Sequence, residues 1–319
     1  MEKDLFSSRM RLRHLQCFVA VAQEQHLGKA ADKLRLSQPA ISKTLLELES
    51  LTGQRLVERG RFGARLTSEG QAFLTHAVSV LDALEGARRA TQTNSVAAPQ
   101  AVYVGALPSV APDLLPAALA RFRRVCPDAK TDIQIAANAP LLDKLQAGEI
   151  NFVLGRMADP EMMVGVSFEL LYVEPLAVVA RPGHPLFGAG TISLNEVIAY
   201  PLVVSTRGTV PRHNTESYLQ SHGLRLPANC IETLSVSLAR LITMQSDAVW
   251  IVPGGAVRDD LTRQALQRLP VTSKGTEEPV GLLRRSEAGL GLAALELIKS
   301  VREVAMVRRA ASESWVTAV

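Results

Sequence analysis

Two sets of residues in this 319-residue chain have the types and spacing to do chemistry, and both point to binding rather than catalysis. The first lies in "LSQPAISKTLLELESLTG", residues 36–53. Ser37 suits a helix N-cap, because its side-chain oxygen can accept from an unpaired first-turn amide, and Pro39 is tolerated where its missing N–H has no helical partner. Ile41, Leu45, Leu48 and Leu51 recur at helical spacing as a buried stripe, and Gly53 ends the helix. Gln38, Pro39, Ser42, Lys43 and Leu46 are left for the opposite face, near the helix start. There Gln38 can pair bidentately with adenine, Ser42 and Thr44 can donate or accept, and Lys43 can reach guanine or phosphate. The free amides of the first turn suit a backbone phosphate. This is the chemistry of a recognition helix in a major groove, although an ordinary amphipathic helix pair has much the same pattern.

The second set lies at the ends of apolar, strand-like runs. Ser109 and Val110 follow "VYVGALP", Asn138 follows "TDIQIAA", Arg156 ends "INFVLG", and Ser205, Thr206 and Arg207 end "YPLVV". Hydroxyls, an amide and two arginines converging at helix starts would make a carboxylate pocket; singly, each is an ordinary cap, turn or surface residue. The runs alternate with helical stretches, which predicts an α/β body with largely parallel sheets and a ligand crevice at the carboxyl ends of the strands.

The elements needed to position the first set are present around it. "RHLQCFVAVAQEQ" spaces Leu15, Phe18, Val19 and Ala22 as one buried stripe, and the small pair Ala30 and Ala31 in "LGKAADKLRL" permits close helix packing. "QRLVERGRFGARLT" sets Arg55, Arg59, Arg61 and Arg65 around two glycines, as a basic hairpin lying along a sugar-phosphate backbone would. Beyond it, Phe73, Ala77, Val80, Leu84 and Ala87 recur at intervals of 4, 3, 4 and 3, the seam of a coiled coil; so short a seam could instead pack on its own chain. "TQTNSVAAPQ" is a polar hinge. The expected division is 1–66 for the DNA-binding module, 67–94 for a dimerising linker helix and 95–319 for an effector domain. Charge follows it: residues 1–66 hold twelve Lys and Arg against seven Asp and Glu, so the front is +5 in a chain of net +4. A basic module on a near-neutral body is expected where one end meets a polyanion.

The stretch "FVAVAQEQHLGKAADKLRLSQPAISKTLLELESLTGQRLVERGRFGARLTSEG" resembles the N-terminal winged helix-turn-helix of LysR-type transcriptional regulators. Two departures are visible: Gly28 stands where the family often has Ser or Thr, and Val57 where Phe is usual. The resemblance implies an α/β chain with an N-terminal winged helix-turn-helix, a linker helix and a two-subdomain effector domain of periplasmic-binding-protein type. Subdomain I would comprise 95–172 and 271–319, and subdomain II 173–270. In the body, "VGALPSV", "FVLGRMADPEMM" and "VSFELLYVEPLAVVARPGHPL" are similar to regulators of protocatechuate and β-ketoadipate catabolism and of galactose-binding-protein genes. That implies Ser109, Asn138 and Arg156 around an inducer, with the arginine on its carboxylate, whereas His184 reads as structural.

The partners expected are double-stranded DNA carrying an interrupted palindrome, a small carboxylate effector, further copies of the chain as dimer or tetramer, and RNA polymerase. No cofactor, metal site or membrane contact is expected. Cys17, Cys126 and Cys230 are scattered and odd in number, which suits a reducing cytoplasm. No G-x-S-x-G, H-E-x-x-H, Walker or G-x-G-x-x-G frame supports an enzyme, and an exported solute-binding protein would leave the basic front unexplained. A regulator of aromatic catabolism is the favoured reading, and a regulator of sugar-transport genes the alternative.

Overall fold

The computed structural model describes residues 9–60, 63–91, 101–188, 192–286 and 289–317. Three helices open it, α1 (Leu12–Glu24), α2 (Leu27–Leu34) and α3 (Gln38–Thr52), followed by an antiparallel hairpin of β1 (Val57–Gly60) and β2 (Gly63–Leu66). Their core joins Leu15, Phe18 and Val19 of α1 to Ala30 and Ala31 of α2 and to Ile41, Leu45 and Leu48 of α3. The alanine pair is at most 3% exposed, as close helix approach requires. The hairpin is fastened to this core. Ala64 donates its N–H to the Gln25 carbonyl at 2.8 Å, and a Cβ on Gly63 (φ +123°) would lie 2.5 Å from the same oxygen, so only glycine fits there.

Helix α4 (Ser68–Thr91) is 24 residues long, about 36 Å at 1.5 Å per residue. Its first half belongs to the same core, which divides the expected seam. The Phe73 ring packs edge-on against Phe18 with centroids 5.2 Å apart, and Ala77 is 1% exposed, so both serve their own chain. Val80 and Leu84 remain about half exposed and open to a partner. The Ala87 side chain lies outside those described.

The body holds two five-stranded sheets. The first, in order β4-β3-β5-β12-β6, comprises β3 (Ala101–Ala106), β4 (Lys130–Ile135), β5 (Phe152–Gly155), β6 (Val166–Glu174) and β12 (Glu278–Arg285). The second, in order β11-β7-β10-β8-β9, comprises β7 (Leu176–Ala180), β8 (Leu202–Val204), β9 (Ile231–Glu232), β10 (Val249–Pro253) and β11 (Gln267–Arg268). Parallel pairing holds between β3 and both β4 and β5, and between β8 and both β9 and β10. One strand in each sheet opposes its neighbours, β12 in the first and β7 in the second. Each is the strand that the other subdomain delivers, so the sheets are mixed rather than largely parallel. The chain leaves the first sheet at Pro175. It returns through residues 272–277, because Leu269 and Val271 still pack in the second core, slightly later than the sequence suggested. Flanking helices are α5 (Ala111–Val125), α6 (Asn138–Gln146), α7 (Leu194–Ile198), α8 (Val210–Ser221), α9 (Val236–Gln245), α10 (Arg258–Thr262) and α11 (Leu292–Thr317).

Candidate nucleic-acid interface and effector cleft

Ser37 caps α3 by accepting from the Ala40 N–H at 3.4 Å, and Pro39 sits in the first turn as expected. Ser37, Gln38, Pro39, Lys43 and Leu46 are exposed along one face, with Ser42 half-buried beside them. Thr44 departs from the expected set. Three positions after Ile41, it falls on the inward face, where its hydroxyl donates to the Ala40 carbonyl at 2.9 Å and meets Cys17. Burial pushes the Cys17 thiol up, against the pull of that Thr44 hydrogen bond and of Arg13.

Arg65 is exposed on the hairpin and Arg55 just before it, whereas Arg61 and the Arg59 side chain lie outside the described residues. Arg9, Arg11 and Arg13 belong with them: they share a shallow depression with Lys43, Leu46 and Glu47 of α3. Arg13 reaches Glu47 at 3.3 Å, as does His14 at 3.4 Å. The charge tally contained these arginines, but without α1 packed across α3 nothing ties them to the recognition helix.

The second site is a cavity of about 450 Å³ between the two sheets of the body. It opens at the carboxyl ends of β3, β4, β5, β8 and β9, where α/β folds bind ligands. Four helices start at its wall, α5, α6, α8 and α9. Ser109, Asn138 and Ser205 line it as anticipated, joined by Thr209, Thr233 and Ser235. Thr209 and Ser235 cap α8 and α9, accepting from the Arg212 and Leu238 amides. Leu107, Met157, Met162, Leu234, Trp250 and Val252 supply apolar walls, and among the described residues Asp159 is the one charged residue of the lining. The capping hydroxyls of "GTVP" and "TLSVS" were legible as helix-start signals; that Trp250 reaches the cavity from mid-strand was not.

Four anticipated residues are absent from the lining. Val110 is fully buried in the first core. Thr206 offers its carbonyl to the Thr209 hydroxyl, and Arg207 is 83% exposed beside Glu232. Arg156 is the substantive correction. It is 1% exposed and turned away from the cavity, with one guanidinium nitrogen 2.5 Å from Glu174 and another 3.2 Å from Glu278. Its carbonyl still helps shape the cleft by accepting from the Asn138 amide at 2.8 Å.

These ion pairs belong to a network running behind the cleft from one subdomain to the other. Glu174 also accepts from the Gly255 N–H at 2.6 Å, and Asp113 on α5 binds Tyr172 at 3.1 Å, Arg258 at 3.0 Å and Arg308 at 2.9 Å. Burial pushes the Glu174 and Glu278 carboxyls up, opposed by Arg156, and burial first among causes raises the Tyr172 phenol well above its ordinary value. His184 is likewise structural: it is 1% exposed, with Nδ1 accepting from the Leu186 amide and Nε2 3.1 Å from the Asp247 carbonyl. Among the described residues no helix is long and apolar enough to cross a membrane, and no cluster of three or more His, Cys, Asp or Glu could hold a metal ion.

Comparison with known proteins agrees with this division of labour. Residues 12–71 match the family model described as bacterial regulatory helix-turn-helix protein, lysR family, and residues 99–306 match the LysR substrate binding domain. The uncharacterised HTH-type transcriptional regulator YdcI of Escherichia coli (strain K12) is 47% identical over 95% of this chain and 99% of its own. The HTH-type transcriptional regulator PcaQ of Agrobacterium fabrum is 36% identical over 94% of this chain and 97% of its own. Among solved structures, a full-length OxyR variant of Pseudomonas aeruginosa superposes with a TM-score of 0.67 at 24% identity, covering 94% of this chain and 95% of that one, and shares the fold. With an exposed recognition helix at one end, a cleft between two crossed sheets at the other, and family models matched over both, the chain belongs to the LysR family of DNA-binding transcriptional regulators, which are not enzymes.

Proposed function

We propose that this regulator responds to a small carboxylated metabolite with an aromatic or similarly apolar body, an intermediate of aromatic catabolism. The observation that carries this is the convergence of four helix starts on one cleft whose remaining walls are mainly apolar, with Asp159 the charged exception. First-turn amides and the hydroxyls of Ser109 and Ser205 suit a carboxylate, while Trp250, Met157 and Met162 suit a flat apolar body. Among the described residues no lysine or arginine is in the lining, so the anion is held by dipoles and hydroxyls rather than by an ion pair. The similarity to regulators of protocatechuate catabolism supports the same class. A sugar-derived effector is the competing reading, favoured by the hydroxyls of Ser109, Ser205, Thr209, Thr233 and Ser235 around the cavity.

At the other end, Ser37, Gln38, Pro39, Ser42 and Lys43 read bases while Arg55, Arg59, Arg61 and Arg65 hold phosphates. Val80 and Leu84 of α4 pair two chains, so that two recognition helices meet an interrupted palindrome with half-sites about 10 bp apart. Assembly into a tetramer, activation through RNA polymerase and a cytoplasmic location belong to this reading. Its test is a footprint of the full chain on the duplex upstream of its own gene, with two protected half-sites expected; no preference over random duplex at moderate salt would overturn it. Thermal shift with aromatic carboxylates and with sugar acids then decides the effector, because a ligand specific to the folded state raises apparent stability.

A further inference from the structure

The cleft and the DNA-reading unit touch one another within a single chain. Helix α6 spans the distance: Asn138, its first residue, lines the cleft, and Gln146, its last, meets α4 about 12 Å away. The Gln146 side chain uses both ends of its amide. Its Nε2 donates to the carbonyls of Met162 and Val164, each at 3.2 Å, and its Oε1 accepts from Gln71 Nε2 on α4 at 3.2 Å. Met162 is itself part of the cleft wall. One residue further on, the Ala147 carbonyl accepts from Gln23 Nε2 of α1 at 2.8 Å, and Lys33 orients that amide by donating to its oxygen at 3.0 Å.

An apolar contact completes the junction. Gly148 has φ +75°, and a Cβ there would lie 2.6 Å from Cγ1 of Val78 on α4, so the turn is as thin as a polypeptide can be where α4 leans on it. From the other side Arg285, 3% exposed, donates to the Leu145 carbonyl at 2.8 Å. The turn is therefore gripped by the reading unit on one face and by the effector sheet on the other.

We infer that α6 and the loop 157–164 form a relay between cleft and DNA reader, with Gln146 as its positioning residue and Gln71 and Gln23 as its docking points. It rests on the proposed cleft as the sensing site. A ligand pressing on Met162 or Asn138 displaces the two carbonyls that orient Gln146, and with them the partner of Gln71. The reverse also holds: DNA that tilts α4 strains the same bonds and alters the cleft, since coupling between sites is reciprocal. The two side-chain hydrogen bonds described across the junction, from Gln71 to Gln146 and from Gln23 to Ala147, are between neutral groups.

Hydrogen exchange on the full chain, with the duplex upstream of its own gene as probe, tests this. In the free Gln23→Ala/Gln71→Ala variant, amides of 146–149 and 157–164 should exchange about tenfold faster than in the parent, two lost hydrogen bonds being of that order. Strand β10 should be unchanged. In the parent, adding duplex should alter exchange at 157–164; in the double variant it should not. Gln146→Glu, which keeps the acceptor for Gln71 but loses both donors, should uncouple 157–164 while leaving 147–149 protected. Unchanged exchange at 146–149 and 157–164 in the free double variant overturns the relay, as does loss of protection spreading to β10, or a duplex effect at 157–164 equal in parent and variant. If the parent fails to bind the duplex at all, the proposed function fails instead, and the free-protein comparison still decides the relay.

Discussion

Replacing Arg156 with Ala should cost about 3–5 kcal/mol of stability, because Glu174, 2% exposed, would be left in the interior with only the Gly255 amide to meet it. Chemical denaturation measures this, and Arg156→Met combined with Glu174→Gln should recover part of the loss, as paired removal of a buried ion pair does. An arginine ending a strand next to a cleft reads as a ligand contact in sequence, since its partners stand 18 and 122 positions further along the chain and no local pattern couples them. Thr44 is a different case. Its inward direction was legible from its spacing to Ile41, and a polar residue type outweighed helical geometry. Lys43→Ala should therefore weaken operator binding and lower the salt slope by about 1, while Thr44→Val leaves that slope unchanged; titrations at several salt concentrations separate the two.

At the scale of elements, α4 does two jobs along one stripe. Ala77→Lys should unfold the reading unit, whereas Val80→Lys with Leu84→Lys should leave it folded and lower self-association, as sedimentation would measure. The 4, 3, 4, 3 rhythm was plain in the sequence, but rhythm does not say which surface a stripe meets; Phe18 claims Phe73 only once α1 is folded beside it. Apolar strands were equally legible, while the opposing course of β7 and β12 was not, because direction depends on which subdomain delivers the strand. Helix α11 is fastened to β6 by Arg302, which binds both Glu169 oxygens at 2.7 and 2.8 Å, and that hydrogen bond holds the Glu169 carboxyl below its usual value against partial burial. A carboxylate with a lowered folded value stabilises above its unfolded value, near 4.5, and loses that contribution as pH falls through the folded one. Glu169→Gln should accordingly cost less than about 1 kcal/mol at pH 7, solvent screening the pair, and the difference from the parent should vanish in strong acid.

For the whole molecule, both ends follow from local patterns, and what joins them does not. The exposed face of α3 and the hydroxyls at the strand ends were legible because each depends on a few consecutive residues. The contact of Gln146 with Gln71 and that of Asp113 with Arg308 unite residues 75 and 195 positions apart, and no spacing rule reaches that far. That network sets how the molecule can move. Asp113 and Glu174 in one subdomain hold Arg258 and Gly255 of the other at 3.0 and 2.6 Å, so the two jaws share a riveted back. A jaw fixed this way resists gaping to admit a bulky guest and favours what already fits its mouth. Discrimination among metabolites then rests on girth and flatness before charge, and tight-fitting compounds that are no use to the cell should block the regulator as readily as its natural signal switches it.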